Sequence, residues 1–438
     1  MNRIDRRKFS KLALGGVALF HLRKAGAAPS ERIRHASFGA SGMAWADIQN
    51  FSRHPKFELA AVAEVDDRRV GRVRERFPNA KIYRDWRELL EKEGKGLDSV
   101  NVSTPDHMHA PIGATAMRMG LAVYGQKPLA QTLYETRRMA EIAAKTGVVT
   151  QMGIQLASGV PERMTAGMVR SGMIGKVKEI FVFSNKTWGD SSPRPDRTDP
   201  IPPELDWNFW CGAGPLTPYI EGYCHPGEWR KRLDYGTGTL GDMGCHLYSP
   251  SAAALGLSAP LSVRSSGGKP NRWNWAVDER LEYVFPANEL VDGKTLRLTW
   301  SDGSLRPPAR IVEMVGGTLP DQGNVFVGTD GVLLMPHGAT PSIYDKGLRR
   351  TGFRYPKISP RDHWGDFLDA VAGKKVEPLA DFGRYAGPLT ESVLLGALAS
   401  HFPKVELEWD AKGLRTNLAE ANRLIRKTYR KGWEIEGL

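Results

Sequence analysis

The stretch Arg32-Ile-Arg-His-Ala-Ser-Phe-Gly-Ala-Ser-Gly-Met-Ala44 constrains this chain more than any other. An apolar strand runs straight into a glycine turn and from there into a helix. The same alternation continues for the next hundred residues. Positions 59–63, 98–103, 121–124 and 148–152 read as strands, and 66–77, 111–119 and 133–146 as helices. Apolar strands separated by helices are the pattern of a parallel sheet covered on both faces. The chain is therefore expected to be α/β, with an N-terminal Rossmann domain over residues 28–153.

After Gly153 the texture changes. Strand signals at 178–184, 261–265, 281–285, 294–300, 310–315, 323–327 and 331–335 predict an open, mainly antiparallel sheet. Helix signals lie at 161–171, 363–372, 389–400 and 418–430, and a Pro- and Asp-rich loop at 189–205. Residues 154–438 are expected to form an α+β substrate and oligomerisation domain. Its C-terminal helices are free to pack back on the first domain. No internal repeat is evident.

Ahead of the first strand stands a segment with a different purpose. Arg6 and Arg7 precede an apolar run, 12–20, and the small residues Ala25-Gly-Ala27. A charged start, a short apolar centre and an A-x-A end predict an export signal over residues 1–27. The adjacent arginines direct it to the Tat route and the periplasm. The run is too short for a bilayer, which needs about 20 residues.

This leader also explains the charge. The whole chain carries +12; seven Lys and Arg against Asp5 place +6 in residues 1–27 and leave +6 for the rest. That remainder is spread without a long basic run, which argues against nucleic-acid binding. Cys211, Cys224 and Cys245 show no metal-ligand spacing. No metal is expected, and one disulfide is open in an oxidising compartment.

In the glycine turn, Gly39 makes the tight bend and Ala44 permits close helix–strand packing, as in G-x-G-x-x-G/A. The middle glycine is replaced by Ser41, with Gly42 beside it and Met43 after, and a Cβ at 41 crowds a pyrophosphate. Glu64 ends the second strand, where an acid accepts from a ribose 2′-OH and repels a 2′-phosphate, which favours NAD over NADP.

Two further segments sharpen the picture. One is Val102-Ser-Thr-Pro-Asp-His-Met-His-Ala110 with Val123-Tyr-Gly-Gln-Lys-Pro-Leu129; the other is Gly238-Thr-Leu-Gly-Asp-Met-Gly-Cys-His246. With these the chain resembles the glucose–fructose oxidoreductase/inositol dehydrogenase/MocA family, in a Tat-exported branch. That family shows T-P-x-x-x-H, E-K-P and D-x-x-x-H. Here stand Thr104, Pro105 and His109, then Gln126-Lys127-Pro128, then Asp242 and His246. The resemblance implies catalysis by Lys127, Asp242 and His246. It implies a cofactor site of Gly39, Ser41, Gly42, Met43, Glu64, Thr104, Pro105, His109, Lys127 and Pro128, with His109 shaping the loop.

The chemistry agrees. Oxidising a sugar alcohol needs a base for the hydroxyl proton and a cation for the developing alkoxide. His246 has a suitable ordinary pKa, near 6.5. Asp242 lies one helical turn before it, on the same face. Lys127 follows a strand, where an α/β sheet carries its functional groups. Two departures are Gln126 for the family's Glu, and Ser249 where the family often has an Asp three residues after the histidine. Trp207, Trp229 and Arg230, from a region rich in tryptophan, are candidates for contacting a sugar ring.

The expected function is a periplasmic NAD-dependent oxidoreductase of a sugar or sugar derivative, with tightly bound cofactor recycled in place. One rival is an NAD-dependent glycosidase working by transient oxidation and elimination. The other is a non-catalytic carbohydrate-binding relative, which the intact Lys127, Asp242 and His246 oppose. Expected partners are a carbohydrate, the Tat machinery and further copies of the chain.

Overall fold

The computed structural model describes residues 32–257 and 259–438. The leader, with Arg6, Arg7, Lys8 and Lys11, lies outside the described residues. Six strands form the first sheet: β1 (Ile33–Phe38), β2 (Phe57–Ala63), β3 (Lys81–Tyr83), β4 (Ser99–Val102), β5 (Ala122–Gly125) and β6 (Thr150–Met152). They are all parallel, in the order β3-β2-β1-β4-β5-β6. This is the Rossmann order, which reverses between β1 and β4 and leaves a crevice at the carboxyl ends of those strands.

The helix Leu133–Thr146 appears where its sequence places it. Thr132 and Glu135 form a capping box, and Gly147 closes it with φ +67°. The helix expected over 66–77 is broken in two. Asp66 accepts from Arg68 N and turns the chain into the short 3₁₀ turn Asp67–Arg69, after which Gly71–Arg76 is α-helical. The short strand β3 and the helix Trp86–Glu93 gave no clear signal; β3 has no fully buried residue.

The second sheet has ten strands: β7 (Val177–Ser184), β8 (Ser262–Ser265), β9 (Arg280–Pro286), β10 (Thr295–Ser301), β11 (Gln322–Gly328), β12 (Val332–Pro336), β13 (Ser342–Asp345), β14 (Leu348–Arg349), β15 (Glu406–Asp410) and β16 (Arg415–Thr416). Their order is β14-β13-β12-β11-β7-β10-β9-β8-β15-β16. Only β7 and β10 pair in parallel; the other neighbours run antiparallel. The helices Val160–Arg170, Gly238–Leu255 and Gly387–Ser400 share one core with this sheet.

Three expectations are corrected here. Positions 310–315 are not a strand: 310–314 lie in the helix Ala309–Met314 and Val315 is its C-cap. Ile311 and Val315, four apart, bury one helical face against Phe181 and Val325. The helix expected over 418–430 shrinks to Ala419–Asn422. Beyond it, tertiary hydrogen bonds replace helical ones: Lys427 Nζ donates to Gln131 Oε1, Tyr429 Oη to Glu135 Oε1 and Arg430 Nε to Gly212 O. Finally, Cys211, Cys224 and Cys245 are all buried free thiols, and none forms a disulfide.

Phe367 and Leu368 join the core of the helix Met43–Phe51, and Trp364 Nε1 donates to Asp47 at 3.0 Å. Among the described residues, no helix is long and apolar enough to cross a membrane.

Candidate active site

A cleft runs from the glycine turn, across the ends of β1, β2 and β4, to Lys127, Trp229, Arg230 and Asp242. Its first half is made mostly of backbone. Gly39 has φ +102°, and a Cβ there would lie 2.8 Å from Ser103 O and 2.9 Å from Ala44 Cβ. Only glycine lets the turn pass so close to the end of β4. Gly42 has φ +59°, and a Cβ there would meet nothing within 4 Å. The helix Met43–Phe51 that follows has no side-chain cap, so its first amides are open toward the cleft.

Glu64 is buried, and its carboxylate accepts from Ala40 N at 3.0 Å and from Asp66 N at 3.2 Å. Burial raises its pKa, against the pull of those two amides. Ser41 does not lie loose over the turn: its hydroxyl accepts from Arg69 Nη1 at 2.9 Å. Ser41, Met43, Thr104 and Pro105 line the cleft. His109 and Pro128 do not; the imidazole bridges Pro128 O (2.7 Å) and Thr104 O (2.9 Å) and so ties two cleft loops together.

These residues fit a dinucleotide. The open helix start and the space at Gly42 suit a pyrophosphate, and Glu64 suits a ribose. Two cleft-wall atoms, Thr104 Oγ1 and Gln126 Oε1, are buried with no hydrogen-bond partner among the described residues, as polar groups awaiting a ligand would be.

The second half is built from side chains on separate elements. Lys127 follows β5, and its Nζ donates to Asp242 Oδ1 at 2.6 Å and to Asp242 O at 2.8 Å. Asp242 sits in the helix Gly238–Leu255 and is buried. Its Oδ1 also accepts from Arg230 Nε at 3.1 Å, and its Oδ2 from Trp188 Nε1 at 2.9 Å. Lys186 Nζ lies 3.9 Å from Oδ2. Burial would raise this carboxyl, but the Lys127 and Arg230 cations overcome it and hold Asp242 well below the usual carboxylate range.

His246 shares the helical face of Asp242 but bonds to neither Asp242 nor Lys127. It faces His337, just after β12, with ring centroids 5.9 Å apart, and its buried Nδ1 has no partner among the described residues. Burial first, then the charge of Lys127, hold its pKa well below the ordinary value, which keeps the ring uncharged at neutral pH and makes it a weaker base than a free imidazole. Asp242 therefore anchors Lys127 and Arg230 rather than orienting His246.

Of the sugar-contact candidates, Trp229 and Arg230 line the cleft, with the guanidinium 4.3 Å from the Trp229 ring centroid and 5.3 Å from that of Trp188. Trp207 does not. It stacks on Trp210 at 4.5 Å inside a buried aromatic cluster, and its Nε1 donates to Thr217 O. Its apolar face is spent on packing. Sequence reasoning missed Arg69, which lines the cleft, and Lys186, Trp188 and His337, which stand beside Asp242 and His246. Lys186 and Trp188 directly follow β7, a position that could have flagged them. His337 reaches the site from a distant hairpin and carries no local signal.

Ser249, where the family often has an acid, donates to Glu162 Oε2 at 3.0 Å. The carboxylate is thus present on the neighbouring helix Val160–Arg170, though fully buried and pushed up to about 8 by that burial.

Comparison with known proteins identifies the family. Residues 33–154 match the model of the oxidoreductase family with an NAD-binding Rossmann fold, and residues 162–279 match that family's C-terminal alpha/beta domain. An inositol 2-dehydrogenase of Rubrobacter xylanophilus is 30% identical over 148 residues, 33% of this chain and 42% of that protein. An alpha-N-acetylgalactosaminidase of Shewanella oneidensis is 27% identical over 156 residues, 34% of each chain. The chain thus spans less than half the length of these curated relatives. Among solved structures, the WlbA dehydrogenase of Bordetella pertussis, in complex with NADH and UDP-GlcNAcA, superposes with a TM-score of 0.60. The two are 15% identical, over 86% of this chain and 99% of that one.

Proposed function

The chain belongs to the Gfo/Idh/MocA oxidoreductase family, whose first domain binds NAD, and from that premise we propose that it oxidises a sugar or sugar derivative with a retained NAD. The observation that carries this reading is the junction of the two halves of the cleft. Lys127 lies at the end of the nucleotide crevice and is bonded to Asp242 of the second domain.

NAD, when bound, supplies the acceptor for the carbinol hydrogen and its electron pair. The chain's own residues do the rest. The uncharged His246 imidazole takes the hydroxyl proton. Lys127, held by Asp242, keeps a third N–H direction free for the oxygen that becomes a carbonyl. Trp229 and Arg230 offer a face and donors to the ring. Groups so placed act as general base and electrostatic stabiliser.

Because residues 1–27 read as a Tat leader, we place the protein in the periplasm with its cofactor recycled on the enzyme. Replacing Arg6 and Arg7 by Lys should retain precursor in the cytoplasm; normal periplasmic yield in a strain lacking Tat would refute the route. A second reading, glycoside cleavage by transient oxidation and re-reduction, is favoured by the likeness to the Shewanella glycosidase. Heat-denaturing purified protein and assaying the supernatant for NAD(H) tests the main reading. No released dinucleotide and no binding of added NAD would sink it. Single turnovers with sugars and glycosides, followed by nicotinamide absorbance and by sugar release, separate the two chemistries.

A further inference from the structure

The substrate half of the cleft is over-supplied with cations and short of acceptors. Asp242 is met by Lys127, Arg230 and Lys186, three positive charges against one negative. Both of its oxygens are occupied, Oδ1 by Lys127 and Arg230, Oδ2 by Trp188 with Lys186 alongside. The other carboxylate in reach of Lys127 and Arg230 is Asp106. It is fully buried, takes the Thr237 hydroxyl at 2.6 Å, and is pushed toward its neutral form by burial. Even with Asp106 ionised, positive charge is left over.

The unspent groups are donors. Among the described residues, Lys186 Nζ finds no hydrogen-bond partner, and its side chain is 44% exposed. Arg230 Nη2 has none there either; its Nε and Nη1 serve Asp242 and Gly227 O. The rings of His246 and His337 hydrogen-bond to none of the described residues, and the nearby lysines help hold both below the ordinary histidine pKa. A neutral sugar presents hydroxyls that need acceptors as well as donors. The acceptors left to it are few: one nitrogen on each uncharged imidazole, Gln126 Oε1 and what the carboxylates of Asp106 and Asp242 keep free. A cleft lined by one sign of charge focuses its field on a ligand of the other sign.

We propose that the substrate carries an oxyanion substituent, a carboxylate, sulfate or phosphate, received by Lys186 and Arg230 beside the two histidines. This deepens the sugar-oxidoreductase reading and rests on it. Lys186 is then the specificity residue. It lies in the second domain, on the run that leaves β7, away from the open helix start that suits the pyrophosphate.

The test uses full-chain, NAD-loaded protein and a titration of the fluorescence of Trp188 and Trp229. The probes are a panel of hexuronates and aldonates, glucose 6-sulfate, glucose 6-phosphate and neutral glucose. At least one anionic class should bind about tenfold tighter than glucose, and which class does so identifies the oxyanion. Lys186→Gln should cost that ligand about 10- to 100-fold, the range for a hydrogen bond to a charged group, and cost glucose far less. The preference should shrink with added salt. Arg310→Gln, which removes an exposed cation paired with Glu179, should leave the preference intact. Equal affinity for glucose and every anion, or a preference that survives Lys186→Gln, overturns the inference. Turnover separates the two claims. If anions bind through Lys186 but no sugar ever reduces the cofactor, the oxidoreductase reading falls and the inference stands. If neutral sugars are oxidised and no anion is preferred, the inference falls and the oxidoreductase reading stands.

Discussion

The two halves of the cleft are made in different ways. The nucleotide half is largely local: β1, the turn 39–42, the start of Met43–Phe51 and the end of β2 lie within about thirty residues, joined by Thr104 and Gln126 from the ends of β4 and β5, and its contacts are largely main-chain. The substrate half draws Lys127, Lys186, Arg230, Asp242, His246 and His337 from five places spread over two hundred residues, Asp242 and His246 sharing one helix. A backbone cradle tolerates side-chain change and serves many chemistries. A cluster of like charges around one buried carboxylate is costly to assemble and is kept where chemistry or recognition needs it.

The sharpest way to break this contrast is to remove the substrate half alone. Lys127→Ala and His246→Ala should each slow the chemical step by about 10²–10⁴-fold, the usual worth of a positioned acid–base group. Bound NAD should remain, since the turn 39–42 and Glu64 are untouched. Single turnovers of cofactor-loaded variants read this directly. A folded, NAD-loaded Lys127→Ala protein that reduces its cofactor at the parent rate would end the assignment. Asp242→Ala should also impair turnover, because Asp242 fixes Lys127 and Arg230; with Lys127 still present, the loss should be smaller.

The nucleotide half is sharpened by Glu64→Ala. Loss of hydrogen bonds to a charged group should weaken NAD by about 10- to 100-fold, and relief of repulsion should narrow the preference over NADP. The measurement is binding of both dinucleotides to protein stripped of cofactor. An unchanged ratio would mean that Glu64, held by Ala40 N and Asp66 N, only braces the turn.

The same contrast explains what is legible in the sequence. The Rossmann sheet can be read because each strand is a continuous apolar run and each turn has its own chemistry. The pairing of Lys127 with Asp242 follows from the family order of motifs, although its geometry does not: spacing places Asp242 beside His246, whereas in space it binds Lys127. Trp207 misleads because composition cannot tell a stacked core tryptophan from a sugar platform. The helix Ala309–Met314 reads as a strand because six residues of mixed polarity fit either period. Its Ile311–Val315 spacing speaks only once the sheet beneath is known. His337 is out of reach because strand order in an antiparallel sheet is a tertiary fact, whereas Lys186, just after β7, had a positional signal that went unused.

The smallest effect concerns Glu162, the carboxylate behind Ser249. Burial pushes its pKa up to about 8, and its contact with the Ser249 hydroxyl only partly opposes this. The unfolded chain loses this proton above about 4.5, while the folded chain keeps it until about pH 8, so its contribution is complete at low pH and is lost as pH rises. The buried histidines act with the opposite sign. His35 and His363 are lowered to about 4 and His107 to about 3, all chiefly by burial. Their contribution is complete above 6.5 and is lost as pH falls toward 3–4. Above pH 6.5 the histidines are therefore silent and the raised acids dominate. Asp302, also raised to about 7 by burial, adds to the same slope. Between pH 6.5 and 8 the Glu162 contribution is on the order of 2 kcal/mol, readable as a fall in Tm across a buffer series. Glu162→Gln keeps the shape and can still accept from Ser249, but has no proton to lose, so the fall should flatten without disappearing. An unaltered slope in that variant would show that Glu162 is ionised in the folded protein. Ser249 would then stand beside a charge after all, as the family's acid would have made it.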